Sequence, residues 1–238
     1  MMWLPATASM TDGTALRGQE FDVEPRLTVS IVPFQIRKGL FRVGTLLSED
    51  GTHILPALSP ATKEPLDAAA ERLMRETTGH PPSYMEQLFT LSIEQKDPWR
   101  IIVSYIVLVA PDTERPEEDL VWEDPKTVDL RRETDRMLLD YAVTRIRAKL
   151  GYTNIAFHLL PPSFTMSDLQ GVYEQVLGQT LDKRNFRRRM SASGILTRTG
   201  VFRREGSHRP AELYRFTSEA DQSSYLTPPW ARSDTEES

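Results

Sequence analysis

The chain has 238 residues, room for two domains of ordinary size, and its 39% hydrophobic and 26% charged residues are those of a globular protein with a packed core, which excludes wholesale disorder. With no cysteine it has no disulfide framework, thiolate metal site or cysteine nucleophile. A net charge of -5 does not exclude a polyanionic partner, because nine basic residues stand between 183 and 209 against Glu205 alone.

Residues 1–25 lack periodicity and are expected to form a flexible arm. They have no basic segment ahead of an apolar run, and nothing later approaches the roughly 18 to 20 apolar residues of a membrane span, so an unexported, cytoplasmic protein is expected. Residues 27–32 (LTVSIV) and 40–47 (LFRVGTLL) are strand-like on either side of the turn-prone Arg37-Lys38-Gly39, which predicts a hairpin, and Ile54-Leu55-Pro56 adds a short strand. The spacing of Leu66, Ala69, Ala70, Leu73, Met74 and Thr77 predicts a helix over 64–77, with Pro65 in its first turn and Gly79 as its stop. Residues 88–91 are β-prone, and the continuous apolar run 101–109 predicts a strand covered on both faces. The first half is therefore α/β.

Leu138, Tyr141, Ala142, Ile146 and Leu150 predict a long amphipathic helix over 133–150, stopped by Gly151, that joins the two halves and is available for a dimer interface. Pro161-Pro162 marks the start of a second domain near 154–162. There Thr165 and Asp168 form a capping-box start to a helix with the stripe Leu169, Val172, Tyr173, Val176 and Leu177, stopped by Gly178. After a short turn Asp182 caps a second helix, whose Phe186 and Met190 face inward while Arg184, Arg187 and Arg188 face out. Residues 195–202 and 211–216 are β-prone and joined through Arg203-Arg204-Glu205-Gly206, a basic hairpin. Beyond Ser218 the Ser, Asp, Glu and Pro content predicts disorder. The domain reading is an arm at 1–25, an α/β domain at 26–153, a second domain at 154–217 and a tail at 218–238.

A DNA reader needs cations to neutralise phosphates and an element narrow enough for the major groove, and an α-helix fits. The candidate DNA-binding residues are Thr165, Lys183, Arg184, Asn185, Arg187, Arg188, Arg189, Arg203, Arg204, His208 and Arg209. Arginine grips guanine edges or phosphates through paired hydrogen bonds, and Asn185 is suited to adenine. A solvated basic helix face is the competing reading, and RNA is a less favoured partner; the order helix, turn, basic helix, basic hairpin favours DNA.

Five strings, 164–178 (FTMSDLQGVYEQVLG), 181–190 (LDKRNFRRRM), 209–216 (RPAELYRF), 84–91 (YMEQLFTL) and 148–157 (AKLGYTNIAF), resemble the Nudix-related transcriptional regulators, the NrtR-like family. The resemblance covers roughly 27–217. It implies a Nudix-like sandwich, a mixed sheet with flanking helices, followed by a winged helix-turn-helix. It also implies a homodimer on a palindromic operator, acting as a repressor, with ADP-ribose or a related nucleotide as effector and NAD or sugar metabolism as the controlled pathway.

Nudix hydrolases carry G-x5-E-x7-R-E-U-x-E-E-x-G-U, with U a bulky aliphatic, because several glutamates must hold divalent metal against a pyrophosphate. Glu64, Arg72, Glu76 and Gly79 fit that frame, whereas Leu58, Leu73, Thr77 and His80 depart from it. The loss of two carboxylates implies no hydrolase activity, no catalytic residues and no bound metal. Glu64, Arg72 and Glu76 are left as effector-binding candidates, although Arg72 and Glu76 also fit a plain i,i+4 helix pair. Two alternatives stay open: an active Nudix pyrophosphatase with an accessory DNA-binding module, and a first domain that serves only dimerisation or protein contact.

Overall fold

The computed structural model describes residues 25–93, 99–111, 119–204 and 210–217. The tail, the arm apart from Pro25, and the candidates His208 and Arg209 lie outside the described residues.

The first strand, β1 (Arg26–Arg37), turns back into β2 (Leu40–Leu47) through Lys38 and Gly39, both at positive φ, 49° and 75°. Such a two-residue turn twists the way the strands do, which is why a glycine belongs there. Short strands β3 (His53–Ile54) and β4 (Ala57–Leu58) follow, then helix α1 (Leu66–Thr78) and strands β5 (Tyr84–Ile93), β6 (Arg100–Leu108) and β7 (Val121–Glu123). The sheet order is β3-β2-β1-β6-β5, with β4 also on β1 and β7 also on β2, and β1 and β6 are parallel. Pro33 lies inside β1 without harm to the sheet. Pairing on that edge passes from Ser30↔Ala57 to Phe34↔Val43, so the residue that lacks an amide hydrogen falls in the gap.

Alternation along the central strands divides the core into two layers. Val29, Ile31, Val103, Tyr105 and Val107 pack against Ala69, Ala70, Leu73 and Met74 of α1. Val32, Phe34, Ile106 and Leu108 pack on the other face, towards α2 (Glu133–Leu150), with Leu138, Leu139, Ala142 and Ile146. A mixed sheet between helices is the Nudix-like sandwich expected from the sequence.

After α2 come a 3-10 turn (Ile155–Leu159), β8 (Phe164–Thr165), α3 (Met166–Leu177), α4 (Lys183–Ala192), β9 (Leu196–Arg203) and β10 (Ala211–Phe216). The three strands form an antiparallel sheet in the order β8-β10-β9. Two helices followed by a hairpin make a winged helix-turn-helix. Its core is not closed off: one apolar cluster runs from Phe34 through Leu139, Ile146 and Leu150 to Leu159, Leu169, Val176 and Met190. The division read at 153/154 falls where α2 gives way to the 3-10 turn.

Candidate nucleic-acid interface

Helix α3 starts at a complete capping box: Asp168 N donates to Thr165 Oγ1 at 3.1 Å and Thr165 N donates to Asp168 Oδ2 at 2.8 Å. Its C-terminus ends at Gly178, in the left-handed region at φ 71°. The turn to α4 is pinned by Glu174, whose Oε1 accepts from Leu181 N at 2.8 Å and from Gln170 Nε2 at 2.9 Å. Gln170 Nε2 also donates to Leu181 O at 3.1 Å. Asp182 then caps α4, accepting from Asn185 N at 2.7 Å.

Burial of Phe186 and Met190 fixes the rotation of α4. The Phe186 ring meets Tyr173 edge-on, 5.4 Å between centroids, and burial pushes the Tyr173 phenol well above its ordinary pKa. At 100° per residue the same rotation turns Lys183, Arg184, Arg187 and Arg188 outward, all exposed, with Asn185 and Arg189 half-buried beside them. Arg188 donates to Asn185 Oδ1 at 2.9 Å, and Arg187 donates to Ser167 Oγ at 3.2 Å across to α3. These contacts hold the Arg187 and Arg188 guanidinium groups on the outer face, with Arg184 exposed beside them.

Two of the candidates have structural partners within the domain. Thr165 is 4% exposed, and its hydroxyl is taken up by the cap; Ser167, two residues on, is the hydroxyl that accepts from Arg187. Arg203 donates from one terminal nitrogen to both oxygens of Asp168, at 2.9 and 2.8 Å, tying the root of the hairpin to the start of α3. Arg204 is exposed at the end of β9. Beside it Val201 and Phe202 are 57% and 60% exposed, two apolar side chains on the wing that a pattern of cations does not mark. The Thr-Gly-Val-Phe segment carries the signal, since its β-prone residues have no helix to pack against.

The Nudix-frame residues Glu64, Arg72 and Glu76 form one cluster, Glu64 from the segment before α1 and the other two from the helix. Arg72 donates to both oxygens of Glu64, at 2.8 and 2.9 Å, and to Glu76 Oε1 at 3.1 Å. Arg72, aided by the amide of Ala61, holds the Glu64 carboxyl down at about 2. Leu73 and Thr77 both face the core, and the Thr77 hydroxyl turns back to donate to Leu73 O at 2.9 Å. Among the described residues no three of His, Cys, Asp and Glu are grouped to hold a metal ion, and no helix is long and apolar enough to cross a membrane.

Fold and surface thus define a two-module protein, a Nudix-fold unit joined to a basic winged helix. Residues 156–216 match the NrtR DNA-binding winged helix domain. The chain is similar to the ADPR responsive transcriptional repressor NtrR of Acinetobacter baylyi, 36% identical over 160 residues. That similarity spans 63% of this chain and 63% of the curated relative, under two thirds of its length. Shewanella oneidensis NrtR, solved with a 27mer DNA, superposes at a TM-score of 0.71 with 26% identity, over 84% of this chain and 98% of that one. A MutT/nudix family protein from Enterococcus faecalis shares the fold at a TM-score of 0.66 and 20% identity, over 82% of this chain and 89% of its own. The chain is similar to NrtR over both modules, and its residues 156–216 match the NrtR type of winged helix.

Proposed function

We propose that the chain is a DNA-binding transcription repressor whose Nudix-fold domain senses ADP-ribose, or a related nucleotide or phosphorylated sugar, without hydrolysing it. The observation that carries this reading is α4, a capped surface helix with a row of arginines on its outer face, inside the stretch that matches the NrtR winged helix. The curated relative is a repressor responsive to ADPR, which supports the same assignment of sensor and reader. The protein works in the cytoplasm as a homodimer on a palindromic operator, controlling NAD or sugar metabolism. It needs no resident metal, because Leu73 and Thr77 replace two carboxylates of the Nudix pattern and face the core.

The test is recovery of bound fragments from the source genome, followed by anisotropy titrations on the best fragment. Arg184→Ala, Arg187→Ala and Arg188→Ala together are expected to weaken binding at least about 100-fold, since each lost base or phosphate contact is worth roughly 1 to 3 kcal/mol. ADP-ribose is expected to release the DNA, and incubation of ADP-ribose with Mg2+ or Mn2+ to yield phosphate products only at background. Full affinity in the triple variant removes the assignment of α4, and turnover of ADP-ribose removes that of a sensor without catalysis.

A further inference from the structure

We infer that the cleft between the sheet, α2 and α3 is a second small-molecule site, for a phosphate-bearing anion. The cleft holds about 360 Å³, within the size range of ligand pockets, and lies on the α2 side of the sheet, across from the Glu64–Arg72 cluster. Four cations line it: Arg42 from β2, Lys126 from the loop after β7, and Arg136 and Arg147 from α2. Two carboxylates, Asp124 and Asp140, share it.

The walls are tied together by hydrogen bonds that leave this charge in place. Arg136 donates to the carbonyls of Pro125 and Val128 and lies 3.7 Å from Asp140, which fixes the loop wall. Phe41 N donates to Gln175 Oε1 at 3.4 Å, joining β2 to α3, and Arg147 Nε donates to Val176 O at 2.8 Å, joining α2 to α3. Arg42, Lys126 and Arg147 form no ion pair among the described residues. Lys126 and Arg147 nevertheless converge: Lys126 Nζ lies 3.3 Å, and a terminal nitrogen of Arg147 3.8 Å, from where a Cβ on Gly178 would sit. Two cations that gather there with no ion pair of their own favour an anion beside them, and phosphate oxygens accept from both guanidinium and ammonium groups. The cleft spans the junction of the two modules, so an occupant there bridges the sheet to the helix that carries α4.

The test is calorimetric titration of inorganic pyrophosphate into the full chain at low ionic strength. One equivalent is expected to bind, at least tenfold more weakly to the R42Q/K126Q double variant. Lys126→Gln alone, a change at an exposed side chain, is expected to weaken it in the same direction. An R184Q/R187Q variant, altered only on α4, is expected to bind pyrophosphate as the parent does whether or not α4 reads DNA. No heat with the parent chain, or equal affinity in R42Q/K126Q, overturns the site. So does a result in which R42Q/K126Q lowers DNA affinity and its salt slope while pyrophosphate binding is unchanged, because the cations then serve the DNA backbone.

Discussion

Arg72 is the hub of the α1 surface, and what it holds makes a measurable pH dependence. Glu64 falls from 4.5 to about 2 because Arg72 and the Ala61 amide favour its ionised form. A carboxylate lowered in the folded state binds fewer protons there than in the unfolded chain, so its contribution is present above pH 4.5 and lost as pH falls towards 2. Thermal melts followed by circular dichroism are expected to fall in Tm across that window. The fall should be shallower in Glu64→Gln, which retains only the share from groups such as Asp50, held low by the hydroxyls of Ser48 and Thr52. An identical profile in Glu64→Gln refutes this role. Asp168 is the second such residue, since it completes the α3 cap and receives Arg203. Asp168→Ala is expected to cost about 1 kcal/mol through the cap and, by freeing the wing root, to reduce DNA affinity beyond the loss of stability. The capping box was legible because its partners stand three residues apart, whereas the Arg203 contact spans 35 residues and is made only once the hairpin closes. A sequence reading therefore places Arg203 among the DNA contacts and misses its structural tie.

At the scale of elements, periodicity located α1, α2, α3 and α4 to within a residue or two, because each has one buried stripe. Strand β5 extends over Tyr84–Ile93, well beyond the expected 88–91, because as an edge strand it buries only Leu88 fully and gives little hydrophobic signal. Strand β7 is three residues long and exists only through its pairing with β2, so nothing local announces it. Helix α2 does end at Gly151, but not through a left-handed glycine: Gly151 stays in the right-handed region, and its amide tightens the last turn onto Ala148 O. The anchoring of α2 was equally hidden. Asp135, buried at its first turn, accepts from Leu55 N at 3.0 Å. Asp135→Ala strands that buried amide and is expected to cost about 1 to 3 kcal/mol in denaturant melts. Asp135→Asn keeps an acceptor. Burial raises the Asp135 pKa, so the folded chain binds its proton more readily and this group's penalty is greatest at neutral pH. Asp135→Asn should therefore match or exceed the parent at pH 7, with the difference shrinking as pH falls; a loss as large as that of the alanine variant would refute the assignment.

For the whole molecule, the two modules share their apolar interior. The prolines at 161 and 162 and the change in charge suggest two domains, but a stripe of apolar residues does not say what it packs against. In the structure the α2 stripe packs against the sheet through Leu138 and Leu139, while its C-terminal end joins the cluster containing Leu159, Leu169 and Val176. Hydrogen bonds from Arg147 to Val176 O and from Phe41 N to Gln175 reinforce the same seam. Two units joined by a flexible linker unfold separately, whereas units with a common core lose their packing together. Scanning calorimetry of the full chain is therefore expected to show one transition, with calorimetric and van't Hoff enthalpies equal. Ile146→Ala, which opens a cavity in the middle of the shared stripe, is expected to lower stability by about 2 to 5 kcal/mol and to shift that single transition without splitting it. Two resolved transitions in the parent, or an Ile146→Ala scan in which only one unit moves, would show that the seam does not couple the modules. A single transition would mean that a ligand held along α2 stabilises both modules together, and such a ligand controls DNA binding to the extent that it binds two arrangements of the arginine helix unequally.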